Sequence, residues 1–154
     1  MCVPAVWPSS LSLLAFCLIS LGGLRPAPLM VCFMNIFTSY FSKASKLDSS
    51  RFLVVSISRY NPKGFSGFSF NEFAPSSSLL HDYKQGLCQR EYIRRYRREL
   101  SHLGELRDSF LKLSRVAHGR DIVLCCYERE ESFCHRHVLS DIVFEKYNYR
   151  IVEL

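Results

Sequence analysis

Two short, nearly continuous apolar runs, at residues 52–57 and 122–127, constrain the fold of this chain more than any other feature. Both contain β-branched side chains and are short for helices, a pattern that indicates strands buried on both faces of a sheet. Amphipathic helical patterns cover residues 89–103, 106–116 and 132–147. Because strands that alternate with helices form parallel sheets, the sequence predicts a small three-layer α/β domain, with a mostly parallel sheet flanked by helices.

Shorter elements are predicted around these. Two further strands are expected near the ends of the domain, over residues 36–41 and 149–154. Residues 60–78 form a long loop rich in Gly, Ser, Phe and Asn, and such a loop in a compact domain often carries function. Ser77 or Ser78 is predicted to cap the short helix that follows this loop.

Composition limits the class of protein and its surroundings. The chain has 154 residues and is 48% hydrophobic, which suits one compact domain with a real core. Its net charge of +6 fits an anionic small molecule or nucleic acid as partner, and ordinary solubility is the favoured explanation of that charge. The seven cysteines are odd in number and irregularly spaced, which argues against a disulfide framework. We therefore expect reduced thiols and a cytoplasmic protein.

Residues 1–33 differ from the rest, with no acidic residue and Arg25 as their one basic residue. The apolar run at residues 11–24 is shorter than the ~20 residues of a membrane span. A signal peptide would carry a Lys or Arg before its apolar run, and no such residue precedes this one. We interpret residues 1–33 as a leader or an over-called start with translation beginning at Met34. Residues 34–154 then form a single α/β domain with no membrane association.

The residues that carry chemistry are concentrated in one predicted strand–loop–helix unit, residues 121–136. Ser132 is predicted to be the N-cap of the helix, which makes Cys134 its second residue. There the helix dipole and Arg136 favour thiolate over thiol. Cys134 is therefore a candidate nucleophile or redox thiol, and a small buried packing residue is the alternative.

Two residues at the end of the preceding strand join this candidate site. Cys126 and Glu128 are two apart and share one face of the strand. Glu128 is a candidate general base or a group that orients His135, although it also begins an acidic run that is typical of a solvated loop. A disulfide between Cys126 and Cys134 stays open. No metal site is predicted, because no Cys-x-x-Cys pair is present and neighbouring residues on a helix diverge.

A ligand-binding role is predicted where other strands end, since ligands of parallel sheets bind beyond the carboxyl ends of the strands. Arg59 follows the apolar run at residues 52–57, and Lys63 lies four residues after it. An Arg fork at such a place suits a carboxylate or phosphate, and a basic surface loop is the alternative. The candidate ligand-binding residues are Arg59, Lys63, Arg136, Thr38 and Tyr40.

The same residues resemble a known family. Residues 124–128 (LCCYE) and 134–136 (CHR) are similar to the Cys-x-Glu and Cys-His-Arg motifs of the family catalogued as domain of unknown function 488. The resemblance extends over about residues 34–154 and includes residues 56–62 (SISRYNP), where an Arg precedes a Pro. Many members carry an Asp two residues before that Arg, whereas this chain has Ile57 there. The resemblance implies an α/β domain with a polar pocket around the matched residues and implies no particular reaction.

Two functions follow from these observations. The first is an enzyme that acts on an anionic, nucleotide-like or nucleic-acid substrate. In it Cys134 is nucleophile or redox thiol, and Glu128 or His135 moves protons beside Cys126. The alternative is a module that binds a nucleotide or phosphate without turnover, with a structural Cys-His-Arg cluster. The sequence indicates neither a cofactor nor an oligomeric state.

Overall fold

The computed structural model describes residues 34–154. They form a five-stranded sheet of order β3-β2-β4-β1-β5, in which every neighbouring pair is parallel. The strands are β1 (Ile36–Tyr40), β2 (Phe52–Ser56), β3 (Phe68–Ser69), β4 (Asp121–Cys126) and β5 (Val152–Glu153). The helices are α1 (Phe41–Ala44), α2 (Ser77–Lys84), α3 (Gln89–Ser101), α4 (Leu106–Ala117) and α5 (His135–Tyr147). This arrangement confirms the predicted α/β fold, while the predicted leader or over-called start at residues 1–33 lies outside the described residues.

The direction in which the chain leaves each strand explains where the helices lie. From β1 to β2 to β3 the chain moves towards one edge, and from β3 to β4 to β5 it moves towards the other. Because crossovers between parallel strands are right-handed, the two directions require opposite faces of the sheet. The packing agrees, since α1 covers one face and α2 to α5 cover the other. Within residues 34–154, the layer on the first face therefore contains one short helix.

Strand β4 divides the two layers most clearly, because adjacent residues of a strand point to opposite faces. Ile122 and Leu124 are fully buried in the large core beneath α2 to α5. Val123 and Cys125 are fully buried in the smaller core beneath α1. Cys125 therefore points away from its neighbour Cys126, as the alternation predicts.

Two local predictions are wrong. The N-cap of α2 is Ser76, not Ser77 or Ser78, because Ser76 is extended and its Oγ accepts a hydrogen bond from the Leu79 amide at 3.2 Å. Strand β3 lies inside the segment predicted as a long loop. It has two residues, too few to give an alternating pattern, and its pairing with β2 defines it.

Candidate functional site

The candidate site lies where β2 and β4 end. Cys126 is the last residue of β4, and Ser58 follows β2 by two residues. The chain leaves β1 and β2 towards one edge of the sheet and leaves β4 towards the other. Such a reversal opens a crevice at the carboxyl ends of the strands, which is where open α/β sheets bind ligands.

A pocket of about 240 Å³ occupies this crevice. Its buried lining includes Cys126, Cys134 and His135, and its side walls include the rings of Tyr83, Tyr92 and Phe133. The exposed residues Tyr60, Lys84 and Glu128 and the half-buried Arg59 also line it. Five residues that the sequence predicted as functional therefore meet in one pocket: Cys126, Glu128, Cys134, His135 and Arg59.

One carboxylate oxygen contacts both thiols of the pocket. Oε2 of Glu128 lies 3.0 Å from Sγ of Cys126 and 3.4 Å from Sγ of Cys134. Ser58 Oγ donates a hydrogen bond to Cys126 Sγ at 3.3 Å. A carboxylate from the loop after β4 and a hydroxyl from the end of β2 thus both contact the Cys126 sulfur.

His135 presents an unprotonated ring nitrogen to these thiols. Its Nε2 lies 2.9 Å from the carbonyl oxygen of Ile57, which can only accept a hydrogen bond, so Nε2 carries the proton in the neutral ring. The other ring nitrogen, Nδ1, then has a free lone pair. It lies 3.6 Å from Sγ of Cys126 and 3.8 Å from Sγ of Cys134. His135 is therefore placed to accept a thiol proton.

Hydrogen bonding gives the two thiols different acidities. A hydrogen bond from the Cys134 thiol lowers the pKa of Cys126, against the effect of burial and with help from His135 and Ser58. The same hydrogen bond, together with burial and the charge on Cys126, raises the pKa of Cys134. Burial and the Cys126 charge also raise the pKa of Glu128. Burial opposes charge on His135, but the hydrogen bond to Cys126 outweighs it and raises the pKa of the imidazole. Thiolate is favoured at Cys126, not at Cys134.

The start of α5 differs from the predicted one. The N-cap is Cys134, with extended dihedral angles (φ −146°, ψ 145°), and the first helical residue is His135. Ser132 instead belongs to a turn, in which its amide donates to the Arg129 carbonyl at 3.1 Å. The prediction that Ser132 caps the helix is therefore wrong. Because Cys134 is extended and not helical, its side chain and that of His135 both reach Cys126.

Arg136 does not line the pocket and instead connects the elements that carry the site. Its guanidinium is fully buried and pairs with the Glu153 carboxylate in β5, with Nη2 2.6 Å from Oε1. Nη1 donates to the carbonyl oxygen of Glu128 at 2.6 Å. The second oxygen of Glu153 lies 2.8 Å from Nε2 of His137. Arg136 thus ties the loop after β4 to the helix and to the last strand.

Of the other predicted ligand-binding residues, Arg59 lines the pocket and the rest are dispersed. Nε and Nη2 of Arg59 donate to the backbone carbonyls of Ala74 and Pro75 at 3.0–3.2 Å, which braces the start of α2 beside the pocket. Lys63 lines a different pocket on the α1 side of the sheet. Thr38 is buried within β1, and Tyr40 ends β1 in register with Cys126 without lining the pocket.

Sequence reasoning missed Ser58 and the aromatic walls. Ser58 stands at the end of a buried strand beside Arg59, which is the signal that could have identified it. Tyr92 was recognisable as an apolar-face residue of α3, and it is both core and pocket wall. The donor atoms of Cys126, Cys134 and His135 lie within 4.8 Å of one another, so these are the residues that can hold a metal ion.

Comparison with protein families identifies the domain. The family model DUF488-N3a, described as the active DUF488-N3 subclade, matches residues 37–147. The chain belongs to this family. The match confirms the resemblance to domain of unknown function 488. It covers every residue that lines the pocket, since these all lie between Ser58 and His135. No curated protein and no solved structure matches the chain. Within residues 34–154, no helix is long and apolar enough to cross a membrane.

Proposed function

We propose that this DUF488 domain is an enzyme in which the Cys126 thiolate attacks a small electrophilic substrate that carries an anionic group. The observation that carries the proposal is the contact of Cys126 Sγ with a base, a hydroxyl and a carboxylate at the end of a central parallel strand. A nucleophile and a base that is itself oriented by a third group are the usual parts of nucleophilic catalysis. The description of the matched family model as an active subclade supports an enzyme.

Each neighbour of Cys126 has a distinct role in this proposal. His135 takes the thiol proton on Nδ1, since the Ile57 carbonyl holds the proton of Nε2. Cys134 keeps its proton and stabilises the thiolate through a hydrogen bond. Glu128, whose side chain reaches both sulfurs from an exposed position, protonates the leaving group of the substrate, whose bond breaks as the bond to Cys126 Sγ forms. Water then releases the product from the sulfur. In this proposal the nucleophile is thus Cys126, and Cys134 donates a hydrogen bond to it.

The pocket lining supports an anionic substrate with a flat apolar part. Arg59 and Lys84 provide positive charge, and three aromatic rings form the walls. Two guanidinium nitrogens of Arg59 are bonded to backbone carbonyls, which leaves Nη1 for a ligand. A volume of about 240 Å³ is smaller than most pockets for drug-sized ligands and suits a small substrate. Charge recognition in this pocket rests on Arg59 and Lys84. The pocket is not lined by Thr38, Tyr40, Lys63 or Arg136.

The proposed location is the cytoplasm. Cys88, Cys125, Cys126 and Cys134 are all free thiols in the described part of the chain. Two of them lie close enough to meet with small side-chain movements, and a reducing compartment keeps such a pair as thiols. A thiolate nucleophile needs this reduced state.

A second candidate function is a module that binds an anionic ligand without turnover. It is favoured by the burial of both sulfurs, whose residues are each 3% exposed, and by the structural contacts of Arg136. In this case the Cys-His-Arg cluster serves only to attach α5 to the sheet. Ligand recovered chemically unchanged after long incubation would favour this module over the enzyme.

Thiol alkylation tests the proposed nucleophile. The full chain, reduced and treated with chelator, is exposed to limiting iodoacetamide at neutral pH, and each cysteine is mapped by mass spectrometry. We expect Cys126 to react about tenfold faster than exposed Cys88, because a thiolate reacts where a thiol does not. Buried Cys125 is the matched control, since burial raises its pKa to about 12, and it should stay unlabelled. Equal rates at Cys126 and Cys125 would exclude Cys126 as the nucleophile.

A further inference from the structure

Four side chains with metal-binding atoms converge at the end of β4. The donor atoms of Cys126, Cys134 and His135 lie within 4.8 Å of one another. The carboxylate of Glu128 contacts both thiols. Cys126 lies 3.0 Å from Glu128 Oε2 and 3.6 Å from His135 Nδ1. The corresponding distances from Cys134 are 3.4 Å and 3.8 Å. The donor atoms of Cys126, Cys134 and His135 therefore surround one small volume, and Glu128 borders it through its contacts with the two sulfurs.

These separations match the edges of a tetrahedral zinc site. Zinc binds sulfur at about 2.3 Å and nitrogen or oxygen at about 2.0–2.2 Å, so tetrahedral geometry places sulfur about 3.5 Å from nitrogen or oxygen. Four of the six edges of such a tetrahedron are given by these contacts, and they lie within about 0.5 Å of that value. A movement of the Glu128 side chain towards His135 would complete the tetrahedron.

We propose that Cys126, Glu128, Cys134 and His135 form a tetrahedral binding site for zinc. Two thiolates with an imidazole and a carboxylate select this borderline-soft cation over magnesium or calcium, which prefer oxygen ligands. Three of the ligands are buried, and Glu128 is exposed at the pocket. Glu128 is thus the ligand that a substrate or a water molecule can displace.

The surroundings of the four ligands are those of a metal site. A ligating histidine usually donates its second ring N–H to a carbonyl or carboxylate, which fixes its tautomer and orientation. Nε2 of His135 makes this contact with the Ile57 carbonyl at 2.9 Å. Arg136 anchors the ligand-bearing loop by donating to the Glu128 carbonyl at 2.6 Å. The ligands thus stand on a strand end, a loop and a helix start that are already connected.

The spacing of the cysteine and histidine residues in the sequence does not indicate this metal site. No Cys-x-x-Cys pair is present, and consecutive helical residues would point in different directions. The N-cap conformation of Cys134 removes that objection, because an extended residue followed by a helical one lets both side chains reach Cys126. The prediction of no metal depended on the missing Cys-x-x-Cys pair and on Cys134 being helical, and the N-cap position of Cys134 removes the second reason.

Zinc binding has a consequence for the proposed enzyme. A Cys126 sulfur bonded to zinc shares electron density with the metal and is a weaker nucleophile than the free thiolate, so we expect the metal-loaded form to react more slowly with substrate. Metal binding would then regulate the same site. This consequence rests on the proposed function, whereas the binding itself does not.

Cobalt is a spectroscopic probe of the metal site. The full chain is reduced, freed of metal with a chelator and titrated with Co²⁺. We expect a thiolate-to-cobalt charge-transfer band and the strong visible bands of tetrahedral cobalt, saturating at one equivalent. Zn²⁺ should abolish both bands with a Kd below about 100 nM. A chain that gives no charge-transfer band has no such site.

Variants locate the site within the chain. Cys126→Ser and Cys134→Ser should each abolish the charge-transfer band or weaken it strongly, and Glu128→Gln should weaken Zn²⁺ binding about 10–100-fold while leaving the fold intact. Cys88→Ser and the triple variant Cys2→Ser, Cys17→Ser, Cys32→Ser should keep the full spectrum. A band that survives both Cys126→Ser and Cys134→Ser would overturn the proposal. Circular dichroism checks that each variant is folded.

Alkylation with and without one equivalent of Zn²⁺ separates this site from the proposed enzyme. Fast labelling of Cys126 that Zn²⁺ prevents supports both. Fast labelling without any cobalt band removes the metal site and leaves the nucleophile. A cobalt band with a slow Cys126 in the metal-free chain keeps the site and removes the nucleophile.

Discussion

Replacing Arg136 with methionine should destabilise the domain by about 3 kcal/mol, the lower end of the cost of breaking a buried ion pair. Methionine keeps an apolar stem of similar shape but removes every hydrogen bond of the guanidinium. Glu153 of β5, whose side chain is 16% exposed, would lose its charged partner and keep only His137. The Glu128 carbonyl would lose the donor that holds the loop after β4. Urea unfolding followed by circular dichroism measures the change.

Arg97 provides the matched control for this experiment. Its guanidinium also makes a two-pronged contact with a carboxylate, at 2.7 Å and 2.9 Å from Glu145. However, the two side chains are 37% and 55% exposed, so water screens the pair. Arg97→Met should therefore cost less than about 1 kcal/mol. Equal losses of unfolding free energy in the two variants would mean that the buried contacts of Arg136 stabilise the domain no more than an exposed ion pair does.

The main elements of the fold were predictable from the sequence because they depend on local pattern. The run at residues 52–57 and the run at residues 122–127 are apolar enough to belong only to buried strands, and both are strands of the parallel sheet. The order of the strands and the pairing of two-residue β3 depend on contacts far apart in the chain, such as Val55 with Phe68. No local pattern encodes those contacts.

The candidate site was predictable in its membership and not in its geometry. Cys126, Glu128, Cys134 and His135 stand out because strand ends and helix starts collect chemistry in parallel sheets. Their arrangement depends on which residue caps α5, and Ser132 has the better intrinsic preference for that position. The tertiary contacts of Arg136 with the Glu128 carbonyl and with Glu153 accompany an N-cap at Cys134 instead. Tertiary structure thus overrides a local preference and turns both thiols towards one point.

Replacing His135 with asparagine should slow the alkylation of Cys126 in the metal-free chain about 100-fold at neutral pH, within the usual range for a lost general base. The imidazole Nδ1 is 3.6 Å from the sulfur and stabilises the thiolate, whereas an asparagine amide cannot hold the proton. Mass spectrometry of the labelled full chain gives the rate at each cysteine. The rate at exposed Cys88 should stay unchanged and serves as the internal standard.

His137→Asn is the control that separates the base from the helix on which it stands. His137 lies two residues further along α5 and bonds Glu153 instead of a thiol, so this change should leave Cys126 alkylation within about twofold of its original rate. Ser58→Ala should have an intermediate effect, because it removes one hydrogen bond to the sulfur and no proton acceptor. Cys126 labelling that is insensitive to His135→Asn would rule out the thiolate–imidazole pair. It would favour the binding module, in which the cluster holds α5 to the sheet and no thiol is activated.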